Sequence, residues 1–129
     1  MQRKKANKRI PDVTEKEIAV GNFVELADPG SREFRIGDGD WPFKGFVVRQ
    51  GDEVFAYHNS CRHLGHPMNW KPDSFLTKDR ANIICASHGA IYEIATGLCI
   101  GGPCIGKTLR TLTVEIRDGL IYVRGPVGK

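Results

Sequence analysis

Two short segments of the chain each hold one cysteine and one histidine close together. The first segment reads Cys61-x-His63, and the second reads Cys85-x-x-His88. Thiolates and imidazoles are both good ligands for transition metals, and each segment offers one of each. These four side chains are therefore candidate metal ligands.

Two cysteines and two histidines also make a complete ligand set for tetrahedral zinc, so the spacing must distinguish between metals. Zinc fingers typically place the cysteines in one pair and the histidines in the other, whereas both pairs here mix the two types. A [2Fe–2S] cluster with chemically different irons needs that mixture, because both thiolates bind one iron and both histidines bind the other. The pattern favours an iron–sulfur cluster, with zinc as the alternative.

The elements that must position these ligands have the pattern of short strands separated by turns. One predicted hairpin runs from Lys44 to His58 around Gln50-Gly51-Asp52, and a second, LTVEIRDGLIYV, turns at Asp118-Gly119. Between the hairpins, Gly, Pro, Asn and Asp are frequent, which is typical of ordered loops. The sequence predicts an all-β fold in which loops carry the ligands. Near Thr14, where a capping box is present, a single helical turn competes with a strand.

Basic residues are concentrated at the start of the chain. The formal net charge is +4, and five of the 19 basic side chains lie within the first nine positions. The remaining 14 nearly match the 15 acidic side chains. We therefore expect residues 1–12 to be a disordered basic tail, residues 13–129 to form one domain, and nucleic acid not to be a partner.

The sequence also bears on the cellular compartment. No run of apolar residues approaches the roughly 20 needed to span a bilayer, and no apolar signal core follows the basic start. This favours a cytoplasmic protein without a membrane partner, and in that reducing compartment four cysteines suggest metal binding before disulfides. For Cys99 and Cys104, free thiols and a loop-closing disulfide both remain open.

The two segments together resemble the two-box motif of the Rieske family, Cys61-x-His63-x-Gly65 and Cys85-x-x-His88-Gly89. The likeness extends over most of residues 20–125 and includes Gly101-Gly102-Pro103, which resembles the proline loop of the family. It implies a Rieske fold, in which antiparallel β-sheets form a base and two loops form a cluster-binding subdomain at about residues 58–105. It also implies one Rieske-type [2Fe–2S] cluster, held by Cys61, His63, Cys85 and His88.

The chain differs from the respiratory members of the family in its loops. Those members have disulfide-forming cysteines where this chain has His66 and Ser87, and a serine where it has Ala90. Tyr92 matches a tyrosine that donates a hydrogen bond to a cysteine sulfur in those proteins, so a similar bond is implied here. The pattern is closer to that of the soluble Rieske ferredoxins.

This resemblance implies a one-electron carrier between a reductase and an acceptor such as a terminal oxygenase or another oxidoreductase. Two alternatives are an accessory electron-transfer subunit of an oxidoreductase complex, and a redox-sensing or structural metal domain. The chain offers no nucleophile and base pair, so we expect an electron-transfer component and not a catalyst on its own. The oligomeric state is left open.

The loops around the histidines should also expose small apolar side chains. We expect an apolar collar suited to brief docking of a partner, formed by Leu64, Pro67, Met68 and Pro103.

Overall fold

The computed structural model describes residues 15–128, which form two antiparallel β-sheets. The strands, in chain order, are β1 (Glu15–Asn22), β2 (Gly30–Ile36), β3 (Phe43–Gln50), β4 (Glu53–His58), β5 (Asn82–Ile84), β6 (Ile91–Glu93), β7 (Cys99–Gly101), β8 (Thr111–Arg117) and β9 (Leu120–Pro126). A short 3₁₀ helix, Phe23–Glu25, follows β1. Among these residues no helix has the length and apolar character needed to cross a membrane. The predicted all-β class is confirmed.

The larger sheet has six strands in the order β1-β9-β8-β4-β3-β2, and the smaller sheet has the order β5-β6-β7. Both predicted hairpins are present in the larger sheet, β3 with β4 and β8 with β9. In the second hairpin, Asp118 and Gly119 have φ values of 51° and 79°. Two positive φ values in succession are what a type I′ turn requires.

The two hairpin turns lie at one end of the larger sheet, and the candidate ligand loops lie at the other. Tyr57 on β4 pairs with Thr111 on β8, so β4 ends where β8 begins. Because the strands are antiparallel, the turn before β4 and the turn after β8 share the opposite end. The chain that leads from His58 to Cys61 therefore leaves the sheet at the end remote from both turns.

The first residues that the structure describes form a strand. Strand β1 pairs with β9 along its length, from Asn22 opposite Leu120 to Glu15 opposite Pro126. The alternative of a helical turn near Thr14 is wrong from residue 15 onward, because pairing along a whole strand outweighs the local preference of one capping box. Thr14 itself and the predicted tail, residues 1–12, lie outside the described residues.

Strand β3 is buried on both faces of the larger sheet. Phe46 and Val48 belong to a core shared with the ligand loops and the smaller sheet, whereas Val47 belongs to a second core on the opposite face. This alternation follows from the two-residue period of a strand. The ring of Phe46 stacks on that of Phe75 at a centroid distance of 4.2 Å. The smaller sheet and its loops are thereby packed against one face of the larger sheet.

Candidate metal centre

The first two candidate ligands lie on a loop that follows β4, which we call the first ligand loop (residues 59–68). Its backbone closes on itself: the Cys61 N–H donates to the His66 carbonyl at 2.8 Å, and the Gly65 N–H donates to the Cys61 carbonyl at 2.7 Å. These bonds satisfy the backbone locally, so the loop is ordered without joining a sheet.

The second ligand loop, residues 85–90, joins β5 to β6 and repeats the same turn. The Cys85 N–H donates to the Ala90 carbonyl at 2.8 Å, and the Gly89 N–H donates to the Cys85 carbonyl at 2.9 Å. Each turn thus closes on a glycine four residues after the cysteine, with φ of 78° at Gly65 and 72° at Gly89. A Cβ on Gly89 would meet no atom within 4 Å, so the glycine is required for its φ and not for space.

The thiols of Cys61 and Cys85 are neighbours in the buried part of the centre. Burial by itself would raise the pKa of the Cys61 thiol, but hydrogen bonds from the Tyr92 hydroxyl, the His63 backbone and the Cys85 thiol bring it below its ordinary value. The pKa of the Cys85 thiol is raised, first by burial and then by the Cys61 thiol. The two sulfurs are thus close enough to affect each other, as ligands of one iron must be.

The imidazoles of His63 and His88 form a second pair, nearer the surface. Their ring centroids are 5.0 Å apart and the ring planes are nearly perpendicular, at 87°. His88 is exposed and His63 partly exposed, yet Nδ1 of His63 is buried and has no hydrogen-bond partner among the described residues. A buried polar atom without a partner is costly, so this nitrogen is a candidate ligand atom.

These donors fit a [2Fe–2S] cluster better than a single zinc ion. The thiols pair with each other and the imidazoles pair with each other, as a cluster with one thiolate-bound iron and one imidazole-bound iron requires. Within residues 15–128, no three Cys, His, Asp or Glu side chains are grouped as a single metal ion would need. His66, whose ring lies 6.2 Å from that of His88, is an exposed neighbour of the imidazole pair.

Tyr92, on β6, is in contact with the thiol pair. Its hydroxyl lies 3.5 Å from the Cys61 Sγ and 3.2 Å from the Cys104 Sγ, and it accepts a hydrogen bond from the Arg62 N–H at 3.1 Å. Burial raises the pKa of Tyr92 well above its usual range. The phenol therefore keeps its proton at neutral pH, and the contact with a cysteine sulfur that the resemblance implied is present.

The proline loop, residues 101–107, packs on the second ligand loop. A Cβ on Gly102 would lie only 2.8 Å from the Ala90 Cα, so the two backbones are in direct contact. Cys99, just before this loop, and Cys104, within it, are buried, with their sulfurs 3.3 Å apart. Both are free thiols in this structure, which is the first of the two alternatives for this pair.

Asn59, which sequence reasoning missed, holds the first ligand loop closed. Its buried side chain accepts a hydrogen bond from the Met68 N–H at 2.7 Å and donates one to Asn69 at 2.9 Å. The Met68 carbonyl accepts from the Ala86 N–H at 2.8 Å, so the two ligand loops are also joined. These bonds hold Met68 fully buried in the core, and its expected place in the apolar collar is wrong. An asparagine at the start of a loop is the signal that could have identified Asn59, since its amide often bonds nearby backbone.

The rest of the expected apolar collar is exposed. Leu64 is 55% exposed, and Pro67 and Pro103 are also at the surface. The proline loop and its base contribute Ile105 and Ile100, 68% and 47% exposed, which the sequence did not single out. We use the term apolar collar below for this set: Leu64, Pro67, Ile100, Pro103 and Ile105.

A base of antiparallel sheets, two loops with mixed cysteine and histidine donors, and a third loop packed on them define a small all-β iron–sulfur domain. The model of the Rieske [2Fe-2S] domain family matches residues 16–115. The chain belongs to this family, and it carries one Rieske-type [2Fe–2S] cluster.

Known relatives are of different lengths. The chain is 32% identical over 79 residues to Ferredoxin CarAc of Metapseudomonas resinovorans, covering 61% of this chain and 68% of that protein. It is 31% identical over 78 residues to the menaquinol:cytochrome c reductase iron-sulfur subunit of Bacillus subtilis (strain 168), covering 60% of this chain and 44% of that subunit. It therefore spans less than half the length of the Bacillus protein.

A similar fold is found in a solved complex of reduced oxygenase and oxidized ferredoxin in carbazole 1,9a-dioxygenase. One chain there superposes with a TM-score of 0.62 at 22% identity, covering 82% of this chain and 99% of that chain. At this identity the likeness establishes the fold alone.

Proposed function

We propose that this chain is a Rieske-type ferredoxin, which carries single electrons between a reductase and an acceptor such as a terminal oxygenase. The observation that carries the proposal is the asymmetry of the centre, where the thiols are buried while the imidazole pair reaches the surface beside the apolar collar. A partner can approach the imidazole edges closely without any opening of the fold. CarAc is itself a ferredoxin, and the similar solved complex pairs a ferredoxin with an oxygenase.

We assign cluster binding to Cys61, His63, Cys85 and His88. The two Sγ atoms would hold one iron and the two imidazoles the other, with Nδ1 as the ligand atom of His63 because it is buried and unpartnered. When bound, the cluster supplies a one-electron redox centre. The chain itself keeps water from the thiols, holds both ligand loops in one turn geometry, and presents the imidazole edges to a partner.

The apolar collar is the surface on which we expect a partner to dock. Leu64 and Pro67 lie on the first ligand loop, Pro103 and Ile105 on the proline loop, and Ile100 in β7. Small exposed apolar groups of this kind favour contact with another protein. The patch is small, which suits a short-lived encounter better than a permanent complex.

Replacing Leu64 with glutamate should slow electron transfer to an acceptor protein by about tenfold or more, which corresponds to about 1.4 kcal/mol. The reason is that a carboxylate within the collar must lose its water when the partner docks. The measurement is stopped-flow oxidation of the reduced protein by the oxygenase component of carbazole 1,9a-dioxygenase. In parallel, ferricyanide serves as a small acceptor that needs no docking surface.

Val24→Glu is the matched control for Leu64→Glu. Val24 is 81% exposed and follows β1 beside the Gly119 turn, at the end of the sheet remote from the ligand loops. We expect this variant to transfer electrons at the wild-type rate. The collar is not the docking surface if both variants slow electron transfer to the oxygenase equally. The same holds if Leu64→Glu slows electron transfer to ferricyanide as much as transfer to the oxygenase.

We also propose that residues 13–129 form the Rieske domain, with the cluster-binding subdomain at about residues 58–105 and residues 1–12 as a basic tail. The smaller sheet, both ligand loops and most of the proline loop fall within 58–105, which supports the bounds of the subdomain.

If residues 1–12 are a basic tail, deleting residues 1–10 should leave cluster content and the free energy of unfolding unchanged. The electron-transfer rate should become less sensitive to salt, because basic side chains are lost. Loss of folded protein on deletion would contradict the tail.

The accessory-subunit alternative is supported by one observation, which is that the Bacillus subtilis relative is a subunit of a reductase. A subunit should stay bound to a partner through purification from its own cells, whereas a ferredoxin should elute alone. For either role we propose a cytoplasmic location, a reducing compartment in which the thiols of Cys99 and Cys104 would stay free. Recovery of the native protein with these two cysteines disulfide-bonded would contradict that location.

A further inference from the structure

We propose that Cys104 is a positioning residue for the cluster: its thiol donates to the Tyr92 hydroxyl and so directs the Tyr92 proton onto the sulfur of Cys61. The inference rests on the assignment of Cys61 as a cluster ligand under the proposed function. It concerns a residue of the proline loop that is far from Cys61 in sequence and is not itself one of the assigned ligands.

The Tyr92 oxygen has three polar neighbours in the structure. They are the Arg62 N–H at 3.1 Å, the Cys104 Sγ at 3.2 Å and the Cys61 Sγ at 3.5 Å. A phenol oxygen can accept two hydrogen bonds and donate one. Since a backbone N–H can only donate, Arg62 occupies one acceptor position, and one acceptor position and one proton remain for the two sulfurs.

The role of each sulfur follows from its protonation. As an iron ligand Cys61 is a thiolate, so it has no proton and can only accept. The Tyr92 proton therefore belongs on Cys61, where the charge on sulfur makes the bond stronger than one to a neutral thiol. The remaining acceptor position on the Tyr92 oxygen is then open to the Cys104 proton.

The neighbouring thiol of Cys99 does not compete with Cys104 for this role. The Cys99 thiol donates to the Gly101 carbonyl at 3.1 Å, so its proton is directed away from Cys104. The Cys104 proton then has two possible acceptors, the Cys99 Sγ at 3.3 Å and the Tyr92 oxygen at 3.2 Å. A hydroxyl oxygen is the better acceptor because thiol sulfur accepts only weakly. The result is a chain of donors from Cys104 to Tyr92 to Cys61, buried throughout.

The chain of hydrogen bonds should be visible in the reduction potential. Hydrogen bonds to the sulfurs are among the factors that set the potential of an iron–sulfur cluster, and a donor stabilises the additional electron. A thiol that donates to the Tyr92 oxygen polarises the phenol and strengthens its own donation. Loss of the Cys104 proton should therefore lower the potential, and it should do so only through Tyr92.

The test is the midpoint potential of the cluster-loaded protein, measured in reducing buffer without any partner. Cys104→Ala should lower the potential, by less than Tyr92→Phe lowers it, and should produce no further shift in a Tyr92→Phe background. Cys104→Ser should restore the potential to the wild-type value or above, because a hydroxyl donates better than a thiol. Cys99→Ala, the matched control, should not lower it, since Cys99 contacts Cys104 but does not donate to Tyr92. Iron and labile sulfide are counted for every variant, and Cys104→Val replaces alanine if that variant fails to load.

Several results would overturn the inference. A higher potential in Cys104→Ala would mean that Cys104 competes for the Tyr92 proton as an acceptor. Cys104 would also lose this role if Cys104→Ala left the potential unchanged, or if Cys104→Ser had a potential as low as Cys104→Ala. The same shift of the potential with and without the Tyr92 hydroxyl would have the same meaning. Failure of the ligand assignment is a separate result, because it would appear as a full cluster in Cys61→Ser.

Discussion

Replacing Cys61 or Cys85 with serine is expected to abolish the cluster, whereas replacing Cys99 with serine leaves it in place. All three thiols are buried, so burial does not distinguish them. Cys61 and Cys85 lie next to each other and each begins one of two matching turns, while the Cys99 thiol donates to the Gly101 carbonyl. Each ligand variant also tests folding, because metal binding contributes to the folding free energy of the loops that hold the metal.

The measurement is iron and labile sulfide per chain, with absorbance and the EPR spectrum of the reduced protein. Wild type should be red-brown and hold two irons and two labile sulfides, with the spectrum of mixed cysteine and histidine ligation. Stoichiometric zinc without labile sulfide, in protein from iron-replete cells, would instead support the zinc alternative. A colourless Cys99→Ser protein would show that the ligands are misassigned.

Replacing Phe75 with alanine is expected to lower the free energy of unfolding by about 3–5 kcal/mol. Phe75 is fully buried and stacks on Phe46 of β3, with ring planes only 7° apart. The lost contact is one that joins the cluster-binding part of the chain to the larger sheet. Both urea unfolding by circular dichroism and loss of cluster absorbance, recorded anaerobically, should therefore shift to lower urea concentration.

Phe23→Ala is the control for the loss of an aromatic ring. Phe23 is only partly buried, with the Arg49 guanidinium 4.1 Å from its ring centroid, so we expect a cost of about 1 kcal/mol and unchanged cluster retention. Equal destabilisation by the two variants would mean that the Phe46 and Phe75 stack is not a principal contact between the cluster-binding part and the base.

Local chemistry could be predicted from the sequence. The β8–β9 hairpin was predicted at Asp118-Gly119 because two adjacent positive φ values are a property of the residues themselves. The ligand pairs were predicted for a similar reason, since a cluster with two kinds of iron restricts both residue type and spacing. Each prediction depends on residues that are close together in the chain.

Predictions that depended on neighbours distant in sequence were less successful. Met68 lies in a loop, and its burial follows from a bond to Asn59 at the other end of that loop and from one to Ala86 on the second ligand loop. Strand β1 was ambiguous for the same reason, because its pairing with β9, at the other end of the chain, outweighs its own capping box.

The sequence by itself determined the cluster type and the all-β class, and it supplied the proposed ligand set, because these follow from residue chemistry and short-range spacing. Only the tertiary structure decided which groups surround the ligands. Cys104 reaches Cys61 through Tyr92 because β6 and the proline loop bring together residues that no local pattern connects. A hydrogen bond requires atoms about 3 Å apart, and for residues distant in sequence that proximity is a property of the packed fold.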